Sequence, residues 1–176
     1  MGNLIREADG VIYLTVTQDK QVVGDELIAR MEKNGNRMGD SGKNLLRSKE
    51  FKPSAIGVYE IAVLKGLLFE DHFRTTENVH AKAREMNLEM PNADIACLIR
   101  EQFSNKEICD MGLWWIVAMH KPISVSAQNS FLLSASRDGD CQWLGVWHGY
   151  PSNSWGCASG FAFLLQNQPR VSLEVP

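Results

Sequence analysis

The chain has 176 residues, 44% of them apolar and 22% charged, with a net charge of −3, a balance that suits one globular domain with a real core. The clustered Lys and Arg that nucleic-acid phosphates demand are absent, so no nucleic-acid partner is expected. No apolar run reaches the roughly 18–20 residues of a membrane span, and the start (MGNLIREADG) lacks a secretory h-region and a myristoylation pattern. The expectation is a cytoplasmic protein without membrane insertion, unless an export route that uses none of these signals carries it.

Residues 11–17 (VIYLTVT) alternate β-branched and aromatic side chains and predict a strand. Residues 25–33 predict a helix: Leu27, Ile28 and Met31 share one face, acids fill the first turn and Gly35 follows as the stop. A shorter helix is expected over residues 42–47, with Ser41 before it and Pro53 after it. Residues 59–69 (YEIAVLKGLLF) suit strand or helix, with Gly66 weakening the helix. Thr76 can cap a helix to about Met86. Pro91-Asn92 opens another through Phe103, with Ile95, Leu98, Ile99 and Phe103 as its apolar stripe. Ser104-x-x-Glu107 fits a capping box for a short helix that Gly112 stops. Residues 113–119 (LWWIVAM) predict a central strand buried on both faces.

After Pro122 the chemistry changes, because no Lys, Glu or Met occurs between Lys121 and Glu174. Strands expected over residues 131–134, 143–147 and 160–165 alternate with loops of Gly, Ser, Asn and Asp. Residues 134–159 read SASRDGDCQWLGVWHGYPSNSWGCAS, large amphipathic rings among small adaptable polar groups, which is the composition of recognition loops. The competing reading is a turn-rich β region whose tryptophans are core. It suits Trp143 and Trp155, each flanked by residues of exposed type. Trp147, His148 and Tyr150, beside Gly149 and Pro151, suit surface display. Burial is expected for Trp143, Trp155 and Phe161, and exposure for His148, Tyr150 and Asn153.

Trp143-Leu144, Pro151-x-x-x-Trp155, Gly160-Phe161-Ala162-Phe163 and Met111-Gly112-Leu113-Trp114-Trp115 together resemble the variable proteins of diversity-generating retroelements. Residues 92–123 look like such proteins from small archaeal and bacterial genomes, and the resemblance covers roughly residues 10–165. It implies an α+β, C-type-lectin-like fold across residues 1–176, with small antiparallel sheets flanked by helices. The first strand would pair with the last, bringing the termini together, and residues 134–159 would form one exposed face. It also implies a ligand-binding protein, not an enzyme, whose partner is expected to be a protein and whose surface a retroelement diversifies.

In that family reverse transcription miscopies template adenines, so asparagine codons (AAC or AAT) become codons for many residues, but never for Lys, Glu, Gln, Met or Trp. Asp138, Gly139, Asp140, Cys141, Gly145, His148, Gly149, Tyr150, Ser152, Asn153, Ser154, Gly156, Cys157, Ala158 and Ser159 fit that set. Trp143 and Trp155 do not, as fixed scaffold residues would not. Gln142 and Trp147 need another codon origin, yet they lie among the ligand-binding candidates. Those candidates are Asp138, Asp140, Cys141, Gln142, Gly145, Trp147, His148, Tyr150, Ser152, Asn153, Ser154, Gly156, Cys157 and Ser159.

The calcium motifs of sugar-binding lectins are absent, and Trp155-Gly156-Cys157 stands where Trp-Asn-Asp would be sought. Neither cofactor nor metal is expected. The histidines (His72, His80, His120, His148) lack ligand spacing, and a site of Cys97, Cys109 and His120 would need three elements to converge. No P-loop, nucleophile elbow or dinucleotide fingerprint occurs, and residues 35–42 (GNRMGDSG) lack the Gly-Lys-Ser/Thr ending. None of the four cysteines forms a C-x-x-C pair, and free thiols are the simpler reading, with a Cys141–Cys157 bridge left open. Those two cysteines also define the alternative, a formylglycine-generating-type oxidoreductase on the same scaffold.

Overall fold

Asp9 and Gly10 both take positive φ (53° and 77°), as the two-residue turn of a tight hairpin requires. They join β1 (Arg6–Ala8) to β2 (Val11–Gln18). The computed structural model describes residues 5–166. Next come α1 (Gly24–Lys33), β3 (Asn36–Arg37), α2 (Asp40–Arg47) and β4 (Gly57–Lys65). After two single turns of 3₁₀ helix the chain forms α3 (Thr76–Glu85), β5 (Leu88–Glu89), α4 (Asp94–Gln102) and α5 (Asn105–Asp110). It ends in strands: β6 (Trp115–Ala118), β7 (Ile123–Ser126), β8 (Asn129–Asp138), β9 (Cys141–His148) and β10 (Ser159–Leu165).

The helices follow their sequence signals closely. In α1, Leu27, Ile28 and Met31 are buried, Asp25 and Glu26 sit in the first turn, and Gly35 follows with φ of 83°. The Ser104–Glu107 capping box is formed in both directions and starts α5. Three starts differ from expectation: α4, expected to open at Pro91-Asn92, begins at Asp94, behind Ala93. The helix expected at residue 42 begins at Asp40, behind Gly39. α3 is capped by Thr75, whose side chain accepts from the Asn78 amide; Thr76 is turned inward. The undecided stretch, residues 59–69, is strand β4 followed by a 3₁₀ turn at Gly66–Leu68. Gly66 is required there, because a Cβ would lie 2.8 Å from the Cys157 carbonyl oxygen.

The strands form one mixed sheet in the order β1-β2-β4-β10-β6-β8-β9-β3, with β5 beside β10 and β7 beside β8. This corrects the expectation of small antiparallel sheets: β10 runs parallel to β6, and β3 runs parallel to β9. It also corrects the pairing of the first strand with the last. β4 lies between β2 and β10 and bonds antiparallel to both. The register places Arg6, Tyr13, Ala62 and Phe163 on one line. The first and last described strands therefore stand level, but three strand spacings, about 14 Å, apart.

Side-chain alternation along each strand builds two cores. Ile61 and Val63, Ile116 and Ala118, and Leu133 and Ala135 face α1, α2, α4 and α5. Ala62 and Leu64, Val117, Leu132, Phe161 and Phe163 face the other way, with Val79 and Ala83 of α3 packed over them. β6 is central and buried on both faces, as its run of apolar residues predicts, but it is shorter than the expected residues 113–119, and Trp114 just before it is exposed. Gly160 stands where a Cβ would meet Leu113 and Val63 at 2.7 Å, so the first glycine of Gly-Phe-Ala-Phe is set by packing.

Candidate functional site

Residues 134–159 are built from the β8–β9 hairpin, the loop of residues 149–158 and the start of β10. Gly139, with φ of 57°, makes the two-residue hairpin turn. Alternation splits the candidates between faces. Cys141, Trp143, Gly145 and Trp147 share one face of β9, while Gln142 and His148 point to the other. Their neighbour Leu144 lies in the core on the helix-packed side. From Cys141 to His148 the strand runs about 24 Å. The expected single exposed face is thus three areas: the hairpin tip, the far end of β9, and the 149–158 loop.

At the tip, Asp138 and Asp140 are exposed, and Cys141 and Gln142 are half-buried. At the far end His148 and Tyr150 are exposed and their rings stack at 5.4 Å. In the loop Ser152, Ser154, Gly156 and Cys157 are exposed, and Trp155 is buried, as expected. Asn153, expected in solvent, is half-buried, and Trp143, expected in the core, is half-buried too.

Three candidates are structural. Trp147 was expected to be displayed, but it is half-buried against the core beneath the loop. Its indole Nε1 donates to Ser134 Oγ at 2.8 Å, and its ring lies 4.8 Å from that of Trp115 and 5.6 Å from that of Trp155. Ser159 is fully buried and accepts a hydrogen bond from Trp115 Nε1. Gly145 lies opposite Ser134, where a Cβ would stand 2.5–2.6 Å from Ser134 Oγ and Ser136 Oγ. Those hydroxyls bond each other, and Ser134 Oγ also accepts from Trp147 Nε1, so they resist displacement. Trp115 and the two serines were missed as site neighbours. The Trp114-Trp115 pair was the available signal, and it was read as buried strand and as part of a family signature, not as a neighbour of the site.

The loop is held mainly by its backbone. Glu77 and Thr76, whose amides are free in the first turn of α3, donate to the carbonyls of Pro151 and Asn153. The Trp155 amide donates to the Arg74 carbonyl, and Trp155 Nε1 donates to Thr76 Oγ1 at 2.9 Å. Arg74 is itself buried. Its guanidinium donates to the carbonyls of Gly66, Phe69 and Trp155 and to the Asp71 carboxylate. No sequence signal marked it, because a buried arginine that serves carbonyls leaves no pattern. By contrast, a Cβ at Gly156 would meet nothing within 4 Å.

The cysteines are free, and burial pushes the Cys97 thiol up, away from a reactive thiolate. β6 and β8 separate β9, which carries Cys141, from β10, which Cys157 precedes. Three strand spacings, about 14 Å, exceed the reach of a disulfide. Among the described residues no group of three or more His, Cys, Asp or Glu is placed to hold a metal ion. No helix among them is long and apolar enough to cross a membrane. Compared with known proteins, the chain matches no family model, no curated protein and no solved structure.

Proposed function

We propose that this chain is a non-enzymatic recognition protein of the retroelement-diversified kind, on a C-type-lectin-like scaffold, which presents variable side chains to a protein ligand. The observation that carries the proposal is how the 149–158 loop is fixed. Its path depends on main-chain hydrogen bonds to α3 and Arg74 and on one buried ring, Trp155. Tyr150, Ser152, Ser154, Gly156 and Cys157 face outward from that frame. A loop built this way keeps its shape while the outward residues change, which a diversified site needs.

Codon arithmetic runs in the same direction. Trp143, Trp147 and Trp155 cannot arise from an asparagine codon, and all three are at least half-buried. The exposed positions of the loop and hairpin tip all fit an asparagine origin. Ser159, Gly145 and Gly149 fit the codon set but have no freedom to vary: Ser159 is buried, and a Cβ at Gly149 would meet Pro122 at 2.7 Å. The scaffold part of the reading is supported by the return of the last strand into the middle of the sheet, between β4 and β6. The cysteine-based oxidoreductase alternative gains no support from Cys141 on β9 and Cys157 in the turn before β10, with β6 and β8 between them.

Sequencing this gene from many cells of one source population tests the proposal. Substitutions should concentrate at codons 138, 140, 148, 150, 152, 154, 156 and 157, at adenines of an imperfect template copy nearby, and spare 145, 147, 155 and 159. Variation spread evenly along the gene, or a locus with neither template copy nor reverse transcriptase, would refute it.

A further inference from the structure

A groove of about 470 Å³ lies outside the diversified positions, between α3 and the end of the β8–β9 region. Pockets of this size hold small ligands. One wall is α3, which presents Glu77, His80 and Arg84; Met90, Pro122 and Leu132 provide apolar lining. The spacing of three and then four residues places Glu77, His80 and Arg84 on one helix face. His80 is half-buried, with its ring edge-on to Phe163 at 5.6 Å.

Two features point to the ligand's chemistry. Among the described residues neither Glu77 nor Arg84 joins an ion pair, although Lys82 and Glu85 of the same helix pair with each other. The groove therefore carries an uncompensated acid at one end and an uncompensated base at the other. Arg84 lies close enough to His80 to help lower its pKa, after desolvation, so the basic end favours an anion. The helix dipole explains an acid in the first turn and a base in the last. It does not explain why both open onto one apolar groove.

The length between these charges selects among zwitterions. Seven helical residues separate Glu77 from Arg84, about 10 Å along the axis. An extended tripeptide, at about 3.4 Å per residue, spans about the same distance. We propose that this groove binds a short free peptide of about three residues, with its ammonium at Glu77, its carboxylate at Arg84 and His80, and an apolar central side chain against Met90 and Pro122. Gly149 and Pro151 of the 149–158 loop also border the groove, but none of the side chains proposed to vary lines it, so the proposal does not depend on their identity.

The test uses the full chain and three probes: Ala-Leu-Ala, its N-acetyl form and its C-terminal amide, titrated while the NMR signals of His80 and Met90 are followed. The free peptide should move both signals, and blocking either end should weaken binding by about tenfold or more. Glu77→Gln should abolish the preference for a free amine and leave that for a free carboxylate; Arg84→Gln should do the reverse. Glu77 and Arg84 are exposed, so both variants should melt with the wild type. Equal binding of all three probes, no movement at millimolar peptide, or preferences unchanged in the variants would overturn the proposal.

Discussion

Replacing Trp155 with alanine is expected to lower stability by about 3–5 kcal/mol, the usual cost of removing a large aromatic from a core. The ring is buried and lies 5.6 Å from both Trp147 and Phe161. Its loss opens a cavity under the loop and removes the donor from Thr76 Oγ1. Trp147, which rests against it, loses one of its two aromatic neighbours. Urea denaturation should show a lower midpoint with an unchanged slope. A loss below about 1 kcal/mol would mean that the loop does not depend on this ring.

The second large effect is a loss of stability in mild acid that is traced to His120. Its Nε2 accepts from the Leu133 amide at 3.0 Å, so the proton sits on Nδ1, which donates to the Lys121 carbonyl at 2.7 Å. The ring is thus neutral, and burial lowers its pKa from 6.5 to about 4. The unfolded chain takes up a proton near pH 6.5 and the folded one only near pH 4. The contribution is therefore complete above pH 6.5 and lost as pH falls to about 4. The full shift corresponds to about 3 kcal/mol. His80, also lowered, acts in the same sense, whereas Asp94 and Glu101, raised by burial, act oppositely as they protonate. The comparison that isolates His120 is with His120→Gln, whose amide can serve both hydrogen bonds without titrating. Between pH 7 and pH 4 the wild type should lose about 3 kcal/mol more than this variant; parallel curves would contradict the assignment.

What the sequence made legible is what short-range physics dictates. α1 was readable from its apolar face, charged ends and glycine stop, and α5 from a capping box that involves only neighbours. The central place of β6 followed from its unbroken apolar run. Pairing was not readable, since nothing in residues 11–17 states that β4 must come between them and β10. The two-residue strands β3 and β5 are too short for any period. Within the site, composition marked the right segment but could not assign faces. Trp147 and His148 look alike as aromatic neighbours, yet alternation sends one ring under the loop and the other into solvent. Ser159 looks like a loop serine, and only the β10–β6 register reveals that it serves Trp115.

The central claim is that outward side chains vary on a frame fixed by other residues. The most direct measurement is the folded fraction of two displayed libraries, scored by resistance to protease. One randomises Tyr150, Ser152, Ser154, Gly156 and Cys157 together, and the other randomises Gly145, Trp147, Trp155 and Ser159. Most members of the first library should fold, because these side chains point away from the frame, and few members of the second should. Equal folded fractions, or a first library that is largely unfolded, would contradict the claim.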